Sequence, residues 1–341
     1  MKPEEVEEGL RRFIPAKAGA RSVSLSGVSR LSGGASRETW SFDAVIETAS
    51  GSEELAGIFR CDPIPGAPSV PGRALEFHLI KAAWNQGVVV PEPLWDGDDT
   101  FPVKFFVMRR VPGETLGGRL IRQEQYAGAR DLLPGQLATS LARIHSIRKA
   151  DHPELEAIPA PEPGRSPAEA ELDRYENAYR TAAPNTHPVF ELAFRWLHQH
   201  LPAVDEQVLV HGDYRLGNFI FGEDGLRGVI DWELAHWGDP MEDLGWLAVK
   251  SWRFGGALPM AGIADRESFF AHYEAAGGFP VDRERVRFWE LFGNVRWGVI
   301  TITQAVTYLS GRSKSVELAS IGRRTAETEW ELLNLIEGKG A

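Results

Sequence analysis

Residues 208–221 read VLVHGDYRLGNFIF. Two apolar runs with strand character, Val208–Val210 and Phe219–Phe221, enclose a polar loop that carries His211, Asp213, Arg215 and Asn218. A third apolar run, Gly228–Ile230, follows the turn at Gly222–Gly225 and delivers another acid, Asp231. Loops held by buried strands are favoured mounts for catalytic groups, because the scaffold fixes the backbone while the loop stays reachable.

The spacing His-x-Asp-x4-Asn, with a later Asp, matches what phosphoryl transfer asks of a protein. That reaction needs a carboxylate to orient and deprotonate the acceptor hydroxyl, oxygen ligands for Mg²⁺, and cations along the phosphates. Mg²⁺ takes hard oxygen ligands, usually one or two carboxylates together with phosphate and water. Asp213 is the candidate base, Arg215 a cation beside the transferred group, and Asn218 and Asp231 the metal ligands. The same spacing governs the catalytic loop of protein kinases. His211 reads as a brace for the loop backbone, not as a catalytic group.

Outward from the loop, the first 111 residues open on a short amphipathic helix over 4–13, with Val6, Leu10 and Phe13 on its apolar side, and are then rich in strands. Val23–Ile46 holds two runs of alternating apolar residues, separated by Ser32-Gly33-Gly34-Ala35-Ser36. Small residues at such a tip let backbone N–H groups approach an anion closely, although a glycine hairpin needs no ligand. Gly57–Asp62 is a further strand, with Ile58 and Arg60 on one face and Phe59 and Cys61 on the other. After a proline-rich loop, Arg73–Gln86 reads as a helix stopped by Gly87. Glu76 lies on or beside its apolar stripe, where a carboxylate is costly unless paired; Arg60 is the obvious partner. Val103–Arg110 is a strand that runs into the hinge Val111-Pro112-Gly113-Glu114. This gives two expected domains, 1–111 and 112–341.

The second part is helical. Apolar spacing marks helices around Leu137–Ile144, from Ser166 to about Thr181, around Phe190–Leu201, over Asp243–Lys250, from near Asp282 to Gly311, and as one last helix over Leu318–Leu335. His145 reads as a buried, satisfied side chain.

Bulk properties narrow the function. The chain has 341 residues, 43% of them hydrophobic, and a net charge of −11. Residues 1–113 carry 13 basic and 15 acidic groups, net −2, which leaves −9 for the remainder. Nucleic acid selects basic surfaces and is not an expected partner. The single cysteine, Cys61, points to a reducing compartment. MKPEEVEEGL has no apolar core and no signal-peptide character, and no run reaches the ~18 apolar residues of a membrane span. A cytoplasmic protein is expected. Seven of its eleven tryptophans lie from Trp232 onward; most read as core, and one or two facing the cleft would suit a partly apolar acceptor.

HGDYRLGN followed by IDWELAHWGDPMEDLGWL resembles the aminoglycoside phosphotransferase/choline kinase-like family. FRCDPIPGAPSVPGRALEFHLI is similar to the branch found as phosphotransferase domains of some acyl-CoA dehydrogenase proteins. The resemblance spans roughly Leu31 to Leu309 and implies an α+β, protein-kinase-like fold of two lobes. A small β-rich lobe with one key helix would bind ATP or GTP, and a larger helical lobe would hold Mg²⁺ and a small hydroxyl-bearing acceptor. It implies that Gly33, Gly34 and Ser36 close over the phosphates and that Arg60 and Glu76 form the cation–carboxylate pair of the small lobe. Backbone groups of Arg109 and Val111 would meet the base, and Asp239 and Asp243 would brace the loop. The wider family carries Lys where this chain has Arg60, and arginine changes shape and donor geometry. Two other readings follow: a nucleotide-binding protein of weak or no activity, and a metal-dependent phosphohydrolase using His211, Asp213, Asp231 and His236.

Overall fold

The computed structural model describes residues 1–31, 38–62, 72–204 and 206–339. Helix α1 (Pro3–Ala18) precedes strands β1 (Ser22–Arg30), β2 (Glu38–Thr48) and β3 (Gly51–Cys61), then helix α2 (Arg73–Asn85), β4 (Pro93–Asp96) and β5 (Phe105–Arg109). These five strands form one antiparallel sheet, in the order β1-β2-β3-β5-β4. Strand alternation splits its apolar residues between two cores. Phe59, Cys61, Phe105 and Val107 meet Val6, Leu10 and Phe13 of α1. Ile58, Phe106 and Met108 face α2 and merge with the core of the helical part. Arg60 shares the face of Ile58, which turns it toward α2.

Helices α3 (Gly117–Arg122), α4 (Ala127–His145), α5 (Pro167–Ala182) and α6 (Pro188–Gln199) follow. Ser166 and Glu169 form a capping box at the start of α5, with Pro167 in its first turn. Strands β6 (Val208–Val210), β7 (Phe219–Gly222), β8 (Gly225–Val229) and β9 (His236–Gly238) make two small sheets, β6 with β9 and β7 with β8. The chain ends in α7 (Pro240–Ala248), α8 (Arg266–Ala275), α9 (Arg283–Leu309), α10 (Val316–Gly322) and α11 (Thr325–Ile336). The fold is α+β, a five-stranded lobe beside a helical one.

Two expectations need correction. The single helix over Leu318–Leu335 is in fact two, α10 and α11. Gly322 ends α10 against α9, where a Cβ would come within 2.6 Å of Ala305 Cβ. The first helix also runs past Phe13 to Ala18, with Pro15 inside it. Among the described residues, no helix is long and apolar enough to cross a membrane.

Candidate active site

Strand β6 leads into the loop at His211, and β7 leaves it at Phe219. Gly212 has φ +76°, and a Cβ there would sit 2.3 Å from the Leu234 carbonyl oxygen, so the position demands glycine. The turn is held from both sides. The buried Asp243 carboxylate of α7 accepts the N–H groups of His211 (2.8 Å) and Gly212 (2.9 Å) and bonds His145 Nε2 at 3.2 Å. From α9, Arg296 donates to the Gly212 carbonyl at 2.7 Å. Asp239 caps α7 through Met241 N–H (2.9 Å) and ties it to α9 through Arg285 (2.5 Å) and Trp289 Nε1 (2.8 Å).

These anchors present Asp213 at the loop's centre. Its Oδ1 accepts from Arg215 Nε and from Trp246 Nε1, both at 2.8 Å, while Oδ2 accepts from Asn218 Nδ2 at 2.5 Å. Burial pushes the Asp213 carboxyl up, but Arg215 and Arg296 outweigh it and hold the group below its ordinary value, so it is ionised at neutral pH. His211 Nδ1 accepts the Asp213 N–H at 3.2 Å, and burial lowers its pKa, leaving a neutral ring beside Trp232. Its geometry is that of a brace.

Sheet register brings the two proposed metal ligands together. Phe219 pairs with Val229, and beyond them Ile230 N–H donates to the Asn218 carbonyl at 3.0 Å, so Asp231 emerges next to Asn218. Asp231 has φ +70°, a left-handed backbone that Asp tolerates better than most residues but that still stores strain of order 1–3 kcal/mol. Arg60 reaches across from β3. Its Nη1 lies 2.7 Å from Glu76 Oε1, and its Nη2 lies 3.6 Å from Asp231 Oδ1. Burial opposes the Arg60 charge, yet Glu76, Asp231 and Glu233 outweigh it and raise the pKa. Glu76 is fully buried and also takes an ion pair from Arg73, which lies 3.7 Å from Asp62.

Not every expected group falls into this cluster. Gly33, Gly34 and Ser36 lie outside the described residues. The Arg109 N–H already donates to the Glu92 carbonyl (2.9 Å), and its side chain to the Glu92 carboxylate (2.7 Å), so that N–H cannot serve a base. The strand pairing at the hinge consumes it. The N–H and carbonyl of Val111 make no hydrogen bond to any described residue. Of the seven tryptophans from Trp232 onward, Trp232, Trp237, Trp246, Trp252 and Trp289 are buried, Trp297 is half-buried and Trp330 is exposed. Nor does His236 join Asp213. Its Nε2 bonds Glu242 at 2.9 Å and clusters with Glu171 instead, which removes the ligand set of the phosphohydrolase reading.

Three residues escape the sequence reading. Trp246 is three positions beyond Asp243, on the same side of a helix, and that spacing is the signal for it. Arg73 likewise precedes Glu76 by three; a cation in a helix's first turn opposes the macrodipole and calls for a partner. Arg296 gives no local signal, since its partner is a backbone carbonyl 84 positions away.

A model of the phosphotransferase enzyme family matches residues 28–289. The chain belongs to this family. The phosphotransferase chain is 27% identical over 285 residues to acyl-CoA dehydrogenase family member 10 of Mus musculus, covering 77% of itself and 26% of that relative. It is 30% identical over 176 residues to family member 11 of Gallus gallus, covering 50% of itself and 22% of that protein. The chain thus spans about a quarter of the length of these relatives. Among solved structures it is similar to a candidate aminoglycoside phosphotransferase from Ralstonia eutropha, with TM-score 0.73 and 22% identity, covering 97% of this chain and 98% of that one. It is also similar to the GDP complex of aminoglycoside 2'-phosphotransferase-IIIa, with TM-score 0.64 and 16% identity, covering 96% and 99%. At these identities the likeness shows the fold, which is the kinase-like one.

Proposed function

We propose that the chain moves the γ-phosphate of ATP or GTP to a hydroxyl of a small-molecule acceptor, with residues 1–111 binding the nucleotide and 112–341 the acceptor. One observation carries this reading. A continuous run of contacts leads from Glu76 through Arg60 to Asp231, and from Asn218, bonded beside it, to Asp213. Five residues from three separate parts of the sequence supply the cation, the acids and the amide that the reaction requires. The nucleotide-bound relative of the same fold supports nucleotide use.

The donor set suits magnesium. Asn218 spends its Nδ2 on Asp213 through bonds to the carbonyl (3.0 Å) and to Oδ2, which leaves its side-chain oxygen as the coordinating atom. Asp231 adds a carboxylate, and neither ligand is a soft donor. When bound, the ion would neutralise charge on the phosphates. Asp213 orients the acceptor hydroxyl and takes its proton as the oxygen–phosphorus bond forms; the bond from the γ-phosphorus to the bridging oxygen breaks, and the nucleoside diphosphate leaves. Arg215, held on Asp213 and over the Trp252 ring at 4.4 Å, keeps a cation beside the reacting group. Arg60 addresses the phosphates with the Nη that now faces Asp231, while its other Nη stays on Glu76. The hinge groups left for the base are those of Val111 and the Arg109 carbonyl.

The acceptor class is to be found by screen. The buried tryptophans offer it no apolar wall, and the relatives' names make hydroxylated acyl compounds an arm beside aminoglycosides and macrolides. The test is nucleotide consumption in the presence of Mg²⁺ across that panel, with Asp213→Asn as control. The variant should lose roughly 10²–10⁴ in rate while still binding nucleotide. Unchanged turnover in Asp213→Asn would refute its role, and nucleotide binding without transfer to any acceptor would favour an inactive binder.

A further inference from the structure

We infer that Trp246 is a positioning residue for the transfer reaction: its indole N–H fixes Oδ1 of Asp213, and Arg296 locks that indole to the loop. The inference rests on the reading of Asp213 as the proton acceptor.

The two oxygens of Asp213 are not equivalent. Oδ1 accepts two hydrogen bonds from different elements, Arg215 Nε in the loop and Trp246 Nε1 in α7, each 2.8 Å long. Among the described residues, Oδ2 accepts only from Asn218. Rotating the carboxylate to exchange its oxygens would break two charge-assisted bonds at once. The acceptor's proton is therefore directed to Oδ2, on the side of Asn218. An indole N–H suits this task because it donates without adding a full positive charge, which a second guanidinium would do.

The indole is itself held on all sides. Arg296 lies over its face, 4.5 Å from the ring centroid, and the same guanidinium donates to the Gly212 carbonyl at 2.7 Å. One α9 side chain thus grips both the aromatic ring and the backbone next to Asp213. Arg296 is buried and also reaches Glu242 at 3.4 Å. Trp252 packs on Trp246 with centroids 5.1 Å apart, and Arg215, the other Oδ1 donor, sits on Trp252. Beneath the ring, Gly293 leaves the room: a Cβ there would come 3.1 Å from Trp246 Cε3. Both donors to Oδ1 are therefore mounted on one buried aromatic pair.

The test uses two readouts on the full chain. Trp246→Phe keeps the aromatic packing and removes only the N–H. With an acceptor from the screen, kcat should fall roughly 10- to 100-fold, the range expected for a bond to a charged group, and the nucleotide KM should stay within about twofold. A wild-type kcat, or a loss seen only in KM, overturns the inference. The second readout needs no acceptor: the indole ¹H–¹⁵N spectrum, with the Trp246 peak assigned through Trp246→Phe or Trp246→Tyr. In Asp213→Ala the Trp246 Nε1 proton should move upfield and exchange faster with water. An unmoved peak would show that the N–H does not hold the carboxylate and would overturn the inference. Because the spectrum reports without turnover, failure of the screen and failure of this inference are separate results.

Discussion

The ion pair between Arg60 and Glu76 allows a quantitative test, through a double-mutant cycle with Arg60→Met and Glu76→Gln. The pair is 2.7 Å long, with the Arg60 side chain 10% exposed and that of Glu76 fully buried. Two unit charges some 4 Å apart attract by about 4 kcal/mol at an effective dielectric of 20. Burying both ions costs several kcal/mol, so the intact pair contributes little net stability, while removing one partner typically costs about 3–5 kcal/mol. Here each survivor keeps a second partner: Glu76 keeps Arg73, and Arg60 keeps Asp231. Each single substitution should therefore fall below that range, at about 2–3 kcal/mol. The double variant leaves neither charge stranded by the other's loss and should cost no more than one single, giving a coupling of about 2 kcal/mol. The assay is urea unfolding, with the m-value required to stay constant so that midpoint changes report stability alone. Additivity of the two singles to within ~0.5 kcal/mol would refute the pairing and with it the path from α2 to Asp231.

Two further outcomes follow from close contacts. Gly245→Ala should destabilise by about 1–3 kcal/mol in the same unfolding assay, because the new Cβ would meet Trp289 Cβ at 2.5 Å and the Glu290 backbone nitrogen at 2.6 Å; an unchanged midpoint would mean that α7 and α9 can separate freely. His236 should make stability fall on the alkaline side. Burial lowers its pKa, but Glu242 and Glu171 outweigh this and raise it to about 9 from 6.5. A raised folded pKa gives stability that is full below the unfolded value and is lost as pH climbs through the folded one. The stability gap between the wild type and His236→Gln should thus be constant below about pH 6.5 and shrink toward about pH 9, and a gap independent of pH would contradict it.

What the sequence disclosed, and what it hid, divides along physical lines. Local patterns were legible: the alternation in β3 that sets Arg60 apart from Phe59 and Cys61, the Ser166-Pro167-Ala168-Glu169 helix start, and the i,i+3/i+4 stripe of α9. The loop was legible because its chemistry sits within a few residues, and because the β7–β8 hairpin returns Asp231 to Asn218. The division of the last helix was hidden by backbone geometry. Arg323 and Arg324 between α10 and α11 stay in the αR region, so the helical period survives the break. Helix α8 begins at Asp265, whose side chain accepts the Ser268 N–H at 2.9 Å; that cap is visible only to a reader who already expects a helix there. Tryptophan composition gives the least guidance, since a ring beside such a loop can serve the loop as readily as a ligand. Trp246 and Trp252 do the former, and no count of aromatics distinguishes the two.

Arginine at position 60 then looks less like a defect. A lysine ammonium is a single point charge, and to reach a phosphate it must share that charge with the helix carboxylate. The Arg60 guanidinium presents two Nη groups to two different carboxylates, 2.7 Å and 3.6 Å away, with the shorter contact on Glu76. A fork of this kind can stay on Glu76 with one arm while the other exchanges Asp231 for a phosphate oxygen. Arg73 makes that exchange easier, because it pairs with the other Glu76 oxygen and keeps the buried carboxylate neutralised. On the proposed reading the two arginines replace one lysine with a division of labour, Arg73 holding Glu76 and Arg60 exchanging Asp231 for the nucleotide with its second arm. Arg60→Lys should consequently cost more in nucleotide KM than in stability, and an equal or reversed cost would mean that the fork serves the fold alone.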